Sequence, residues 1–390
     1  MSTKSNRLLS IDAFRAITML LMIFVNDVSG VSNIPSWIEH VHGNEDGLGF
    51  ADTVFPTFLF IVGLSIPYAI GYRIQQQQSF IKIETHIILR SVALIVMGFF
   101  HVNLESYSSA AVLPYAVWEI IITLSFFLIW LDYPATLSKA WRYTLTGLGI
   151  VLLALMAYLY KGGDAANPHG MRQSWGGILG IIGWAYLVSA TVYLLIRGQF
   201  FWLLAAVLVF LVINLGTHGG WLHLWLPVVG DASSITLILG GAFISALYSR
   251  LLQQGRVNAV TPVLGSIGAG AIALGFLVRS STGGISKIGS TPAWVLICGG
   301  IGILVFVLLI FLVDVKGKFH WFKAIKPAGT STLTCYLMPY LLYSLFSLVH
   351  FNYPAWFNTG IGGIIRSFAV AFAVILFVGF LEKRKLRLKI

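Results

Sequence analysis

The sequence is 390 residues long, 57% hydrophobic and only 10% charged, with a mean hydropathy of +0.86. Soluble domains carry about a quarter charged residues, so a water-soluble globule is excluded. The net charge of +11 does not point to nucleic acid, because the basic residues fall in short clusters between apolar runs, as in membrane-protein loops.

A transmembrane helix needs about 20 largely apolar residues. In chain order, the apolar runs predict spans near 8–28, 52–72, 87–104, 112–131, 142–160 and 175–196. Six more follow near 200–215, 233–252, 259–278, 292–313, 329–349 and 359–381. Only Arg197-Gly198-Gln199 separates the sixth from the seventh. The expectation is an all-α, polytopic transmembrane helical bundle of about 11–12 spans, one integral-membrane domain over residues 1–390 with no separate soluble domain. Met1 to Arg7 is short and polar and predicts no cleavable leader. Cys298 and Cys335 lie inside apolar runs and read as buried structural thiols.

With the N-terminus inside, roughly 19 Lys and Arg residues, Lys4 and Arg7 among them, fall on the cytoplasmic side. Lys161, Arg172, Arg279 and Lys287 fall on the other side, and Arg15 and Arg366 lie within spans. The positive-inside rule therefore places both termini in the cytoplasm. The outer face then carries the long loops 29–51, 161–174, 216–232, 279–291 and 350–358. Trp37, Trp175, Trp221, Trp225, Trp294 and Trp356 stand at that edge as expected interfacial anchors.

Ionisable groups inside spans are costly and mark functional sites by default. Ser10 is placed to cap the first helix, and Asp12 and Arg15 share a face, either as a structural ion pair or as part of a site. Asn26-Asp27 closes the first span. Glu39, His40, His42, Glu45, Asp46 and Asp52 then crowd into the next outer loop, with Asp52 opening the second span. A histidine held by an acid is what general-base chemistry requires. His-x-His beside acids is also a zinc pattern, and a solvated polar loop is the plain alternative; no metal is expected. His101, Asn103, Glu105 and Glu119 are candidates to line a polar cavity. Arg90 opens the third span, and with the cluster Lys316, Lys318, Lys323 and Lys326 it reads as a phosphate-binding mouth or a contact with anionic lipid. These residues alone do not separate an enzyme from a transporter.

The order of residues from Arg7 resembles a known family. Arg-x-x-Ser-x-Asp-x-x-Arg is followed by Leu21-Met22-Ile23-Phe24-Val25-Asn26, by Trp-x-x-His, and by Ala51-Asp52-Thr53-Val54-Phe55-Pro56-Thr57-Phe58-Leu59-Phe60-Ile61-Val62-Gly63. This is similar to the heparan-α-glucosaminide N-acetyltransferase family and its bacterial relatives. The likeness continues weakly through Lys287, Thr291-Pro292-Ala293-Trp294, Asp314 and Gly329-Thr330-Ser331. The chain departs from the family's pattern at Ala16, across Asn44 to Gly47 and at Val117-Trp118-Glu119.

The resemblance implies acetyl transfer across the cytoplasmic membrane, from cytoplasmic acetyl-CoA to the amine of a glucosamine-type sugar or glycan outside. It places the active histidine in the first outer loop. Matching Trp-x-x-His gives His40, and counting back from Asp52 gives His42; His40 is preferred because the loop absorbs two residues more easily than the tryptophan shifts. Asp52 is its expected orienter and Asn26 a polar contact to acceptor or thioester. Arg90 with Lys316, Lys318, Lys323 and Lys326 would meet the phosphates of CoA. The resemblance leaves open an acyl-histidine intermediate against direct transfer, and also a homodimer. A sugar permease without acyl transfer, or an O-acyltransferase acting on a cell-envelope glycan, is the alternative.

Overall fold

The structure, a computed structural model, describes residues 8–43, 45–164, 166–223 and 228–390. Lys4, Arg7, Asn44 and Trp225 lie outside the described residues. Among the described residues there are helices and a few isolated bridges but no strand. Helix α1 is Leu9–Val28, α2 Phe50–Gln75, α3 Phe80–Val102, α4 Tyr115–Trp130, α5 Lys139–Leu159 and α6 Gly177–Leu195. Helix α7 is Phe200–His218, α8 Ser233–Gln253, α9 Val257–Val278 and α10 Pro292–Leu309, which runs into a π-helical turn, Ile310–Val315. The short α11 (Lys326–Thr330) leads to α12 (Thr332–Leu348), and α13 (Gly360–Lys383) follows.

Ten of these helices are long and apolar enough to cross a membrane. The other two in the expected set, α4 and α12, are apolar but only 16 and 17 residues long, and they pack on one another. The polytopic all-α reading is therefore the observed architecture. In hydrocarbon a helix satisfies its own backbone, which is why each apolar run becomes one.

Helix ends gather on two faces. Leu131 pairs with Leu388 at one, and Tyr107 with Gly162 and Ser32 with Thr359 at the other. Helix α1 lies inside the bundle against α2, α10, α12 and α13, whereas α5, α7 and α9 are the least buried. Large apolar side chains on the outside, such as Tyr158, Phe201 and Leu277, meet lipid.

Three boundaries differ from the hydropathy reading. Helix α3 starts at Phe80, well before the apolar run, because the Ser79 hydroxyl caps it by accepting from Lys82 N–H at 3.3 Å. Arg90 thus sits ten residues into the helix, about 15 Å along it, and not at its opening. Leu8, not Ser10, precedes α1, and Ser10 is buried in the first turn. The narrow break at Arg197-Gly198 is real: both residues are left-handed, with φ of 51° and 64°, and this reverses the chain between α6 and α7.

Helices α2 and α8 touch backbone to backbone. A Cβ built on Gly63 would overlap the Ile238 carbonyl, and one on Gly241 the Phe60 carbonyl. Small residues at such crossings replace the hydrophobic drive that lipid removes. The contact holds α2 rigidly, and α2 carries Asp52 at one end.

Candidate active site

The site is built on the N-terminus of α2. The first N–H groups of a helix lack intrahelical partners, and here the preceding loop supplies them. Phe50 N–H donates to the Trp37 carbonyl at 2.7 Å and Ala51 N–H to Ile38 at 3.2 Å. The Asp52 carboxylate answers from the helix, its Oδ2 accepting from Gly49 N–H at 3.1 Å and Val41 N–H at 3.0 Å. Gly49 has to be glycine, since a Cβ there would overlap the Glu39 carbonyl. Residues 37–41 are thereby laid across the helix end, with His40 facing Asp52.

His40 Nδ1 lies 2.6 Å from Asp52 Oδ1. The carboxylate is an acceptor only, so Nδ1 carries the proton and donates, which leaves Nε2 with its lone pair. The Asp52 side chain is 3% exposed and that of His40 38%, so the pair is anchored below and open above. Lys287 Nζ lies 3.2 Å from Nδ1 and 3.4 Å from Nε2. With Nδ1 already donating, the lysine addresses Nε2. Burial pulls the Lys287 ammonium below its ordinary pKa, and the Asp52 carboxylate opposes this.

Lys287 arrives from a loop 247 residues away in sequence, and that loop is clamped. Arg279 Nε donates to both Asp46 carboxylate oxygens, at 3.0 and 2.8 Å. Ile285 N–H donates to Asp46 Oδ1 at 2.6 Å, and Gly47 N–H to the Ile285 carbonyl at 3.1 Å. His218 Nε2 meets the Gly289 carbonyl at 2.8 Å and ties α7 to the same loop. From below, Trp294 Nε1 donates to the Asp52 carbonyl at 3.1 Å. Trp294 is buried, so it supports the site and is not an interfacial anchor.

Hydrogen bonds from Arg279 hold the Asp46 carboxyl below the usual carboxylate range, helped by Ile285 N–H and opposed by burial. A lowered folded-state pKa means the clamp contributes fully above the unfolded value of about 3.9, and that contribution is lost as pH falls through the folded value. Amide exchange at Ile285 should therefore lose protection in acid, below about pH 4. Asp46→Ala should show the loosened state already at neutral pH; equal protection in the variant and the unmutated chain would deny the clamp.

The other expected residues are not brought to this point. His42 is exposed in the same loop, and among the described residues no carboxylate pairs with it. Asn26 is exposed in the last turn of α1; its carbonyl accepts from the Ser29 hydroxyl at 2.8 Å, and no hydrogen bond among the described residues joins it to His40 or Asp52. Its neighbour Asp27 pairs with Arg366 at 2.9 Å and accepts from the Tyr343 hydroxyl. Asn103 clips the loop at Arg172, and Glu105 accepts from Trp175. Glu119 accepts from Ser344, while His101 stacks on Tyr340 with ring centroids 4.1 Å apart.

At the opposite face a cavity of about 440 Å³ enters the bundle. Arg15, Arg90, Arg387 and Lys389 line it, with Met19, Met22, Phe58 and Val62. Arg15 donates to Ser65 Oγ at 2.5 Å and to the Gly329 carbonyl at 3.3 Å, and pairs with Asp12 at 3.5 Å. Arg90 lies over the Tyr186 ring at 5.0 Å, with Nε buried and without a hydrogen-bond partner. Lys316, Lys318, Lys323 and Lys326 are exposed and do not line this cavity; Lys326 borders a separate small one with Asp12 and Phe322. Arg90 thus shares its cavity with Arg15, Arg387 and Lys389 and not with the lysine cluster. The cluster stays outside because its short turn packs on α1 and on the π-helical end of α10 and leaves all four lysines exposed.

A family model described as "Domain of unknown function (DUF5009)" matches residues 7–219, more than half of the chain. The chain belongs to that family. The matched DUF5009 region contains α1 to α7, and with them His40, Asp52, Arg15 and Arg90. The chain is also similar to heparan-alpha-glucosaminide N-acetyltransferase of Mus musculus, 37% identical over 101 residues, and to that of Homo sapiens, 38% over 97 residues. These alignments span 26% and 25% of this chain but only 15% and 14% of the relatives. The DUF5009 chain thus matches about a seventh of the length of these curated relatives.

Proposed function

We propose that this protein is a single-domain transmembrane acetyltransferase that takes acetyl from acetyl-CoA at its Lys/Arg-rich face and delivers it to a glucosamine-type amine at the His40 face. The observation that carries this reading is the alignment of two sites along α1 and α2. The cavity has a cationic mouth at Arg15 and Arg90 and apolar walls that reach Phe58 and Met22. Phe58 is six residues, about 9 Å of helix, from Asp52. Phosphates cannot enter a bilayer, but an arm ending in a thioester can occupy such a shaft. The charge asymmetry of the loops supports a cytoplasmic location for the cationic mouth. The partial relatives are named for an activity of the same kind.

In this scheme the Asp52 carboxylate fixes the His40 tautomer and leaves Nε2 as general base. The acceptor amine attacks the thioester carbonyl, a C–N bond forms and the C–S bond breaks. His40 Nε2 takes the amine proton and can return it to the leaving thiolate. Lys287, whose Nζ lies 3.4 Å from Nε2, yields that nitrogen to the acceptor amine and turns its ammonium to the carbonyl oxygen as negative charge develops there. Acetyl transfer from labelled acetyl-CoA to glucosamine by the purified chain in detergent tests the proposal. Label in N-acetylglucosamine is the expected result. Vesicle uptake of the sugar without any acetylated product would defeat it in favour of a permease.

A further inference from the structure

The cavity at the basic face contains a segment that the reading of the sequence assigned no task. Residues Arg387, Leu388, Lys389 and Ile390 follow α13 and form one of its walls. They are held there along their length. Asp132 N–H donates to the Arg387 carbonyl at 2.8 Å, Lys389 N–H to the Trp130 carbonyl at 2.8 Å, and Leu388 N–H to Thr334 Oγ1 at 3.0 Å. Leu388 is buried, so the segment has an apolar anchor between its two cations.

Two carboxylates stand against those two cations, and Arg90 adds a third cation. Arg387 and Lys389 share Asp132, at 3.2 and 3.3 Å, and Arg387 also reaches Glu382 at 3.6 Å, whose other oxygen accepts from Thr330. Among the described residues Arg90 faces no carboxylate within ion-pair distance, and its buried Nε has no hydrogen-bond partner. The mouth therefore presents guanidinium and ammonium groups in excess over acids, with partly exposed heads on the segment. Guanidinium forks suit phosphate oxygens.

We infer that Arg387–Ile390 is a binding wall of the donor cavity, with Arg387 and Lys389 acting together with Arg90 on the phosphates of a phosphorylated, apolar-armed donor. This rests on the acyl-CoA reading above. It assigns the phosphate contacts to α3 and the last residues of the sequence in place of the segment 316–326.

The test is CoA binding by the full chain in detergent, measured by calorimetry. Arg387→Ala/Lys389→Ala should weaken binding about tenfold or more, and Arg90→Ala by a similar factor. Asp132→Asn breaks both pairs made with Asp132 but leaves both cations, so it should retain binding within a few-fold. A double variant that binds like the unmutated chain overturns the inference. Loss in Asp132→Asn as large as in the double variant also overturns it, by making the segment a structural strap. Loss in Lys318→Ala/Lys323→Ala, with the double variant intact, would move the phosphates to the lysine cluster. Failure of the unmutated chain to bind CoA would instead defeat the donor reading itself, and this inference with it.

Discussion

Replacing His40 with alanine should reduce acetyl transfer by about 10²- to 10⁴-fold, the usual worth of a positioned general base. His42→Ala should leave transfer within a few-fold. The two histidines differ in support and not in chemistry. His40 is oriented by a buried carboxylate at 2.6 Å, while His42 stands exposed two residues further on with no such partner. An imidazole free to rotate presents neither nitrogen reliably to an acceptor. The His40 side chain is 38% exposed, so its removal should not unfold the bundle. The measurement is initial rate with labelled acetyl-CoA for both variants, with elution on a sizing column as the check on folding. An active His40→Ala beside an inactive His42→Ala would move the base by two residues.

Asp52→Asn should be nearly as damaging, about 10³- to 10⁴-fold, although it changes one atom. The Asp52 carboxylate accepts three hydrogen bonds, from His40 Nδ1–H, Val41 N–H and Gly49 N–H. An asparagine has one acceptor oxygen, and the two backbone donors claim it because a buried N–H left unpaired is costly. Its amide then points NH₂ at His40 Nδ1, which must accept. The imidazole proton moves to Nε2, and the base is lost without loss of structure. Acetyl transfer should therefore collapse while thermal stability falls only slightly. A variant with full activity would show that His40 needs no fixed tautomer; one that aggregates would show that Asp52 serves chiefly as the cap of α2.

Much of the fold was legible in order of residues because its cause is local. Hydrocarbon demands that each crossing segment bond its own backbone, so an apolar run of sufficient length is already a helix. Even the weak divider at Arg197-Gly198 proved a sharp turn. Boundaries moved where a polar residue such as Ser79 continued a helix beyond its apolar stretch. The loop after α1 could likewise be singled out from its density of acids and histidines.

The site itself was only half legible, for the opposite reason. Spacing alone leaves His40 and His42 equivalent, and the contact that distinguishes them depends on how residues 37–41 lie over α2. Lys287, Arg279 and Trp294 reach the same point from more than 200 residues away, and the family likeness touched Lys287 and Trp294 without giving that meeting. Trp294 has the composition of an interfacial anchor and is buried instead. The lysine cluster of 316–326 stands outside the cavity, while cations from α1, α3 and the last residues line it. Hydropathy by itself determined that the chain is a many-helix membrane bundle, because bilayer thickness and backbone hydrogen bonding act segment by segment. Which polar groups meet was decided only in the tertiary structure, because it depends on helix packing such as the glycine contact of α2 with α8, and no local pattern encodes a distance between segments.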